Sequence, residues 1–225
     1  MHPWHELPEG FVSGNRIGNA FLAVHLALAA AIMASGALQL LPWLRRHNPT
    51  AHRWNGRFYI LCALTMACSG FYLVLSGRKV VGDAPQHAAL LINGLLILAC
   101  GAMALQKARS REFVGHSRWA LRLFLVVAGV WFFRIGLFLW LAVNQRPAGF
   151  NPDTFAGPFL TFLGFAQYLL PLTIFELYVR ILASSNPRWI SITLAGVVAL
   201  LTVMTGAGIA AAAMILWLPA IRGAV

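Results

Sequence analysis

The chain has 225 residues, 60% of them hydrophobic and only 10% charged, with a formal net charge of +11. A soluble domain carries about 25% charged residues, so this chain cannot cover itself against water; its apolar residues fall instead into runs of the ~20 residues that cross a bilayer. The positive charge lies in short loops beside those runs, where it anchors to headgroups, which argues against a nucleic-acid partner.

Six membrane spans are predicted in chain order: Ile17 to Leu44, Phe58 to Ser76, His87 to Gln106, Trp119 to Val143, Pro158 to Leu182 and Ile190 to Ile221. The fold class is therefore an all-α polytopic membrane helix bundle, with residues 1–225 as a single membrane domain. Within it, 17–143 reads as a four-helix pair of repeats and 158–221 as two additional helices. Pro and Gly punctuate the joints, at Asn48-Pro49, Gly82-Asp83-Ala84-Pro85, Asn151-Pro152-Asp153 and Asn186-Pro187. The segment Met1 to Gly10 carries Glu6 and Glu9 and no basic residue before Arg16, unlike the basic start of a cleavable signal peptide. The first span is thus expected to stay in the mature protein.

Basic residues set the expected orientation. Arg45, Arg46, Arg53 and Arg57 follow the first span; Lys107, Arg109, Arg111, Arg118 and Arg122 follow the third; Arg180 and Arg188 follow the fifth. The opposite side holds only Arg16, Arg78, Lys79, Arg146 and Arg222, with four of the six acids. The arginine-rich side reads as cytoplasmic, with both termini on the other face.

Cys62, Cys68 and Cys100 lie inside apolar runs without disulfide or zinc spacing and read as buried packing thiols. The sixth span contains Thr205 to Ala213 (TGAGIAAAA), small residues that permit close helix approach and suit packing or a dimer contact.

Two stretches resemble each other: Ala51-His52-Arg53-Trp54-Asn55-Gly56-Arg57 and Gly115-His116-Ser117-Arg118-Trp119-Ala120-Leu121-Arg122. Gly36-Ala37 and Gly101-Ala102 stand upstream of them, at sixteen and fifteen residues from Gly to His. His25 lies twenty residues before Arg45, and His87 lies twenty before Lys107. Spans one–two and three–four therefore read as a parallel pseudo-repeat, each supplying one outer and one inner histidine. Neutral imidazole is a common haem ligand, and one His from each half at each face is the layout for two bis-histidine b-type haems. Arg57 and Arg122 would meet the anionic propionates. The competing expectation is plain: His52 and His116 as headgroup residues, His87 facing water, and His2, His5 and His47 solvated.

Two charges fall inside spans, where each is expensive. Arg134 stands amid Trp131-Phe132-Phe133 and Ile135-Gly136, too deep to snorkel, and is expected to meet an anionic ligand, a propionate or a quinone oxygen. Glu176 follows Pro171 and can lean towards Arg180 one turn on. Asn93 and Gln167-Tyr168 are expected to hydrogen-bond between helices.

These residues resemble a bacterial multi-pass membrane family known as domain of unknown function 2306. The likeness rests on His25, His52-Arg53, Gly56-Arg57, Tyr59, Gly70, Tyr72, His116, Arg118-Trp119, Arg122, Arg134 and Glu176, over roughly 20–185. Ser117 and Ala120 depart from its pattern. The resemblance implies a bacterial cytoplasmic membrane location and the architecture, without an activity. The layout also resembles, more distantly, di-haem transmembrane cytochromes with four span histidines.

The leading expectation is a b-haem electron carrier, a membrane oxidoreductase that exchanges electrons with a quinone. The alternatives are a non-catalytic subunit or assembly factor, with the sixth span docking a partner or a second copy, and a proton-coupled transporter lined by Arg134 and Glu176. No nucleophile stands beside a base in a recognisable spacing, and no phosphate-binding Gly loop is present.

Overall fold

A computed structural model describes residues 16–76, 82–183 and 187–218. His2, His5, Arg78, Lys79, Arg222 and the end of the sixth span lie outside the described residues. The elements are α1 (Arg16–Leu40), α2 (Pro42–His47), α3 (Pro49–Leu75), α4 (Ala84–Arg109), α5 (Phe113–Val127), α6 (Gly129–Asn144), α7 (Pro158–Ala183), α8 (Arg188–Ala212) and a π-helical turn, Ala213–Trp217. The only β-type pairing among the described residues is an isolated bridge between Asn151 and Ala156.

Five of these helices are long and apolar enough to cross a membrane unaided. The sixth crossing is a bent pair, α5 and α6, at 46° to each other. The sequence reading took this stretch as one helix. Periodicity does not register the break at Ala128, which precedes Gly129, and glycine is a usual site for a sharp kink. The chain is thus an all-α membrane protein with six spans when the bent pair counts as one.

Its contacts group the chain into two compact units: Met1–Val81 with Leu90–Phe124, and Gly82–Ala89 with Leu125–Val225. In the first unit, α3 begins where Asn48 accepts a hydrogen bond from Ala51 N (2.9 Å) and Pro49 occupies the first turn. An N-cap side chain and a proline that has no donor to lose are a strong start signal. Glycines set the helix spacing, because a Cβ on Gly94 would come within 2.9 Å of the Phe71 ring. Cys62 and Cys100 are buried there, but Cys68 is exposed: it shares the run yet lies on the outward face of α3.

In the second unit, Trp140 stacks on Phe159 (4.3 Å), and its Nε1–H donates to Ala148 O (2.8 Å), folding the 145–157 loop back on its flanking helices. The small-residue stretch of α8 packs against α6: Gly208, Ala211 and Ala212 are buried, and a Cβ on Gly208 would meet Ile135 Cγ2 and sit 2.7 Å from Ile135 O. These residues therefore serve packing within the chain.

Gly208→Ala should destabilise the second unit by about 1–3 kcal/mol through overpacking. Gly206→Ala, at a position with nothing within 4 Å of the added carbon, should be near neutral. Thermal unfolding of the two variants in detergent checks the contrast.

Candidate functional site

Helices α1 and α3 run antiparallel within the first unit. Phe21 stacks on Tyr72 (4.4 Å), His25 meets Ser69, Gly36 faces Tyr59 and Gln39 faces Gly56, each step along α1 matching a step back along α3. Near the arginine-rich end, this seam carries a polar chain. Asn55 Nδ2 donates to the main-chain oxygen of Ser35 (2.9 Å), which can only accept, so the orientation of the Asn55 amide follows. Its Oδ1 accepts from Ser35 Oγ (2.9 Å), and its Nδ2 also donates to Gln39 Oε1 (2.8 Å). Gln39 must then turn its Nε2 to His52 Nε2, 3.3 Å away.

An amide NH₂ only donates, so His52 Nε2 accepts and the neutral ring carries its proton on Nδ1. That Nδ1 is buried and has no hydrogen-bond partner among the described residues. Protonation of both ring nitrogens would set an N–H against the Gln39 amide, so the chain holds His52 neutral.

His116 is anchored the other way round. Its Nδ1 lies 2.9 Å from Ala104 O, a carbonyl that only accepts, so Nδ1 bears the proton and Nε2 keeps its lone pair. His25 follows the same rule. Ser69 Oγ donates to Met66 O (3.0 Å) and therefore accepts from His25 Nδ1 (2.9 Å), leaving a lone pair on His25 Nε2. A ring held through Nδ1–H by an oxygen, with Nε2 as the basic atom, is the arrangement found around metal-bound imidazoles.

The two sequence motifs occupy matching places. His52 is the fourth residue of α3 and His116 the fourth of α5. Their partners, Gln39 and Ala104, each stand three residues after a glycine, Gly36 and Gly101. The Arg57 guanidinium lies over the Trp54 ring at 4.8 Å, and that of Arg122 lies over Trp119 at 4.6 Å. The outer histidines do not share this register, because His25 precedes Gly36 by eleven residues and His87 precedes Gly101 by fourteen. His87 lies in the first turn of α4, its main-chain N–H on Asp83 O (3.0 Å), and belongs to the second unit. The first unit thus holds His25, His52 and His116.

A family model described as "Predicted membrane protein (DUF2306)" matches residues 22–170. The chain belongs to this family. The DUF2306 range takes in all four span histidines, Arg57, Arg122 and Arg134; it ends before Glu176, which the resemblance had included, and leaves α8 outside. No curated protein and no solved structure matches the chain, so the likeness to di-haem cytochromes gains no support there.

Other polar residues inside the spans are placed differently from expectation. Arg134 is exposed on α6, and Glu176 is half-buried on α7. Gln167 Nε2 donates to Gly164 O within its own helix (2.7 Å). Asn93 Oδ1, Gln167 Oε1 and Tyr168 OH are buried without hydrogen-bond partners among the described residues, in place of the expected bonds between helices. No cluster of three or more His, Cys, Asp or Glu that could hold a metal ion occurs among the described residues.

Ser35 and Gln39 went unnoticed in the sequence, and Asn55 stood there only as a residue of the first repeated stretch. Their signal was Ser35 and Gln39 at i,i+4 on an apolar helix, with Asn55 facing them from α3. The Asn55 amide is irreplaceable by its near-isostere, because a carboxylate cannot donate to Ser35 O or Gln39 Oε1. Asn55→Asp should therefore cost about 2 kcal/mol or more, leaving buried acceptors unpaired beside a new charge. Asn55→Ser should cost less, a ranking that thermal unfolding in detergent will read.

Proposed function

We propose that the chain is a membrane electron carrier that holds b-type haem on its histidines. The observation that carries this reading is the shared anchoring of His25 and His116, each held through Nδ1–H by an oxygen with its Nε2 lone pair left for a ligand. Such anchoring orients the ring and raises the basicity of the ligating nitrogen. Both residues fit as iron ligands on this ground. His52 does not fit, because its Nε2 already takes the Gln39 amide and its Nδ1 carries the proton. The four-ligand set expected from sequence is therefore reduced at the arginine-rich end to His116.

When bound, the haem would supply one-electron exchange at a potential set by its ligands and burial. The chain's own residues bind and orient. His116 lies in the first turn of α5 at the arginine-rich end and His25 lies in the N-terminal half of α1 away from it, so the reading assigns one to an inner and one to an outer centre. Arg57 and Arg122, each steadied on a tryptophan face, would meet carboxylates with planar, permanently charged guanidinium groups. The matched placement of His52 and His116 supports reading the first four spans as two copies of one helix pair.

Protein expressed with a haem precursor should show a Soret band that sharpens on dithionite reduction. His25→Ala and His116→Ala should each remove about half of the bound haem, one centre apiece, while His52→Phe should retain it. A colourless preparation under those conditions overturns the reading.

A further inference from the structure

His52 occupies the motif position of a ligand, yet its hydrogen bonds turn it into something else. We propose that His52 is a fixed hydrogen-bond donor for the carbonyl oxygen of a membrane-dissolved quinone, and that Gln39 is the residue that positions it. That the quinone exchanges electrons with the carrier rests on the function proposed above; the donor assignment does not.

The direction of the donor follows from the chain of bonds. Ser35 O fixes the Asn55 amide, Asn55 fixes Gln39, and Gln39 leaves His52 only one way to carry its proton, on Nδ1. That N–H is buried with no acceptor among the described residues, a state that costs a folded protein about as much as a lost hydrogen bond. A second donor lies on the same face of α3. Tyr59, seven residues on and 5% exposed, also has a hydroxyl without a partner among the described residues. Its ring rests in the space beside Gly36, where a Cβ would come within 2.9 Å of it, and helical side chains lean towards the helix N-terminus, here the His52 end.

Two buried donors without an acceptor among the described residues call for a molecule rich in acceptor oxygens. Both atoms are shielded from solvent, so the fitting acceptor is one carried on an apolar molecule that can enter between the helices. A quinone head group offers carbonyl oxygens on a flat ring and dissolves in lipid; a lipid ester carbonyl shares the acceptor chemistry and is separated from it by the test below. A neutral donor also suits a neutral carbonyl, since the Gln39 amide donates to His52 Nε2 and leaves the ring uncharged.

The test uses the whole protein, labelled with ¹⁵N-histidine, in lipid nanodiscs titrated with decylubiquinone. His52 should appear as the Nδ1–H tautomer, and its Nδ1 resonance should move as quinone saturates. Gln39→Glu places a carboxylate opposite Nε2, should switch His52 to the Nε2–H tautomer, and should weaken quinone binding about tenfold or more. Gln39→Met, unable to orient the ring, should weaken it less, and His52→Phe should abolish the response; thermal unfolding confirms that each variant is folded. A resonance insensitive to quinone overturns the proposal, as does unchanged binding in Gln39→Glu. A resonance already at its bonded position in quinone-free nanodiscs also overturns it, in favour of the lipid ester. The haem spectrum is read on the same samples. Quinone response without haem removes the electron-carrier reading and leaves the donor site standing, while haem without a quinone response does the reverse.

Discussion

A polar side chain within a membrane span has no water to satisfy it, so its partners must come from the protein or from a ligand. The seam between α1 and α3 depends on this constraint. Ser35, Gln39 and Asn55 would each be costly alone in an apolar helix, but together they satisfy one another across the seam and tie the two spans in register. Once a main-chain oxygen sets the first donor, every later bond in the chain has a direction. The constraint that closes the helix pair is thus also the one that assigns His52 its proton.

The same reasoning separates histidines that the sequence presents as equivalents. His52 and His116 begin their helices at the same place and are followed by the same Trp–Arg stack. They differ in what faces them. Gln39 offers His52 a donor, whereas the matching position in α4 is Ala104, whose main-chain oxygen offers His116 an acceptor. A single difference in the neighbouring helix therefore leaves His52 with its proton on Nδ1 and its Nε2 taken by Gln39, and His116 with its Nδ1 proton bonded and its Nε2 lone pair open.

Close backbone approach is the other organising device, because helices in lipid gain little from burying apolar surface against each other. Gly36 makes room for Tyr59, Gly94 for Phe71 and Gly208 for Ile135, at positions where a single added carbon would collide. The small residues of α8 read from sequence as either internal packing or a dimer face. The contact of Gly208 with the backbone of Ile135 shows them engaged inside the chain.

Membrane residence, the number of crossings and the arginine-rich ends were determined by the sequence alone, since hydrophobic length and charge placement act locally and leave a direct trace in residue order. The Asn48-Pro49 start of α3 was legible for the same reason. The histidines could be nominated, but the atom each would use could not, because a tautomer depends on which group faces the ring from another helix. The bend at Ala128, the outward face of Cys68 and the Tyr59 OH, Tyr168 OH and Asn93 Oδ1 left without partners among the described residues were likewise decided only by tertiary structure. Each depends on contacts between residues distant in the chain, or on a helix face that composition does not distinguish.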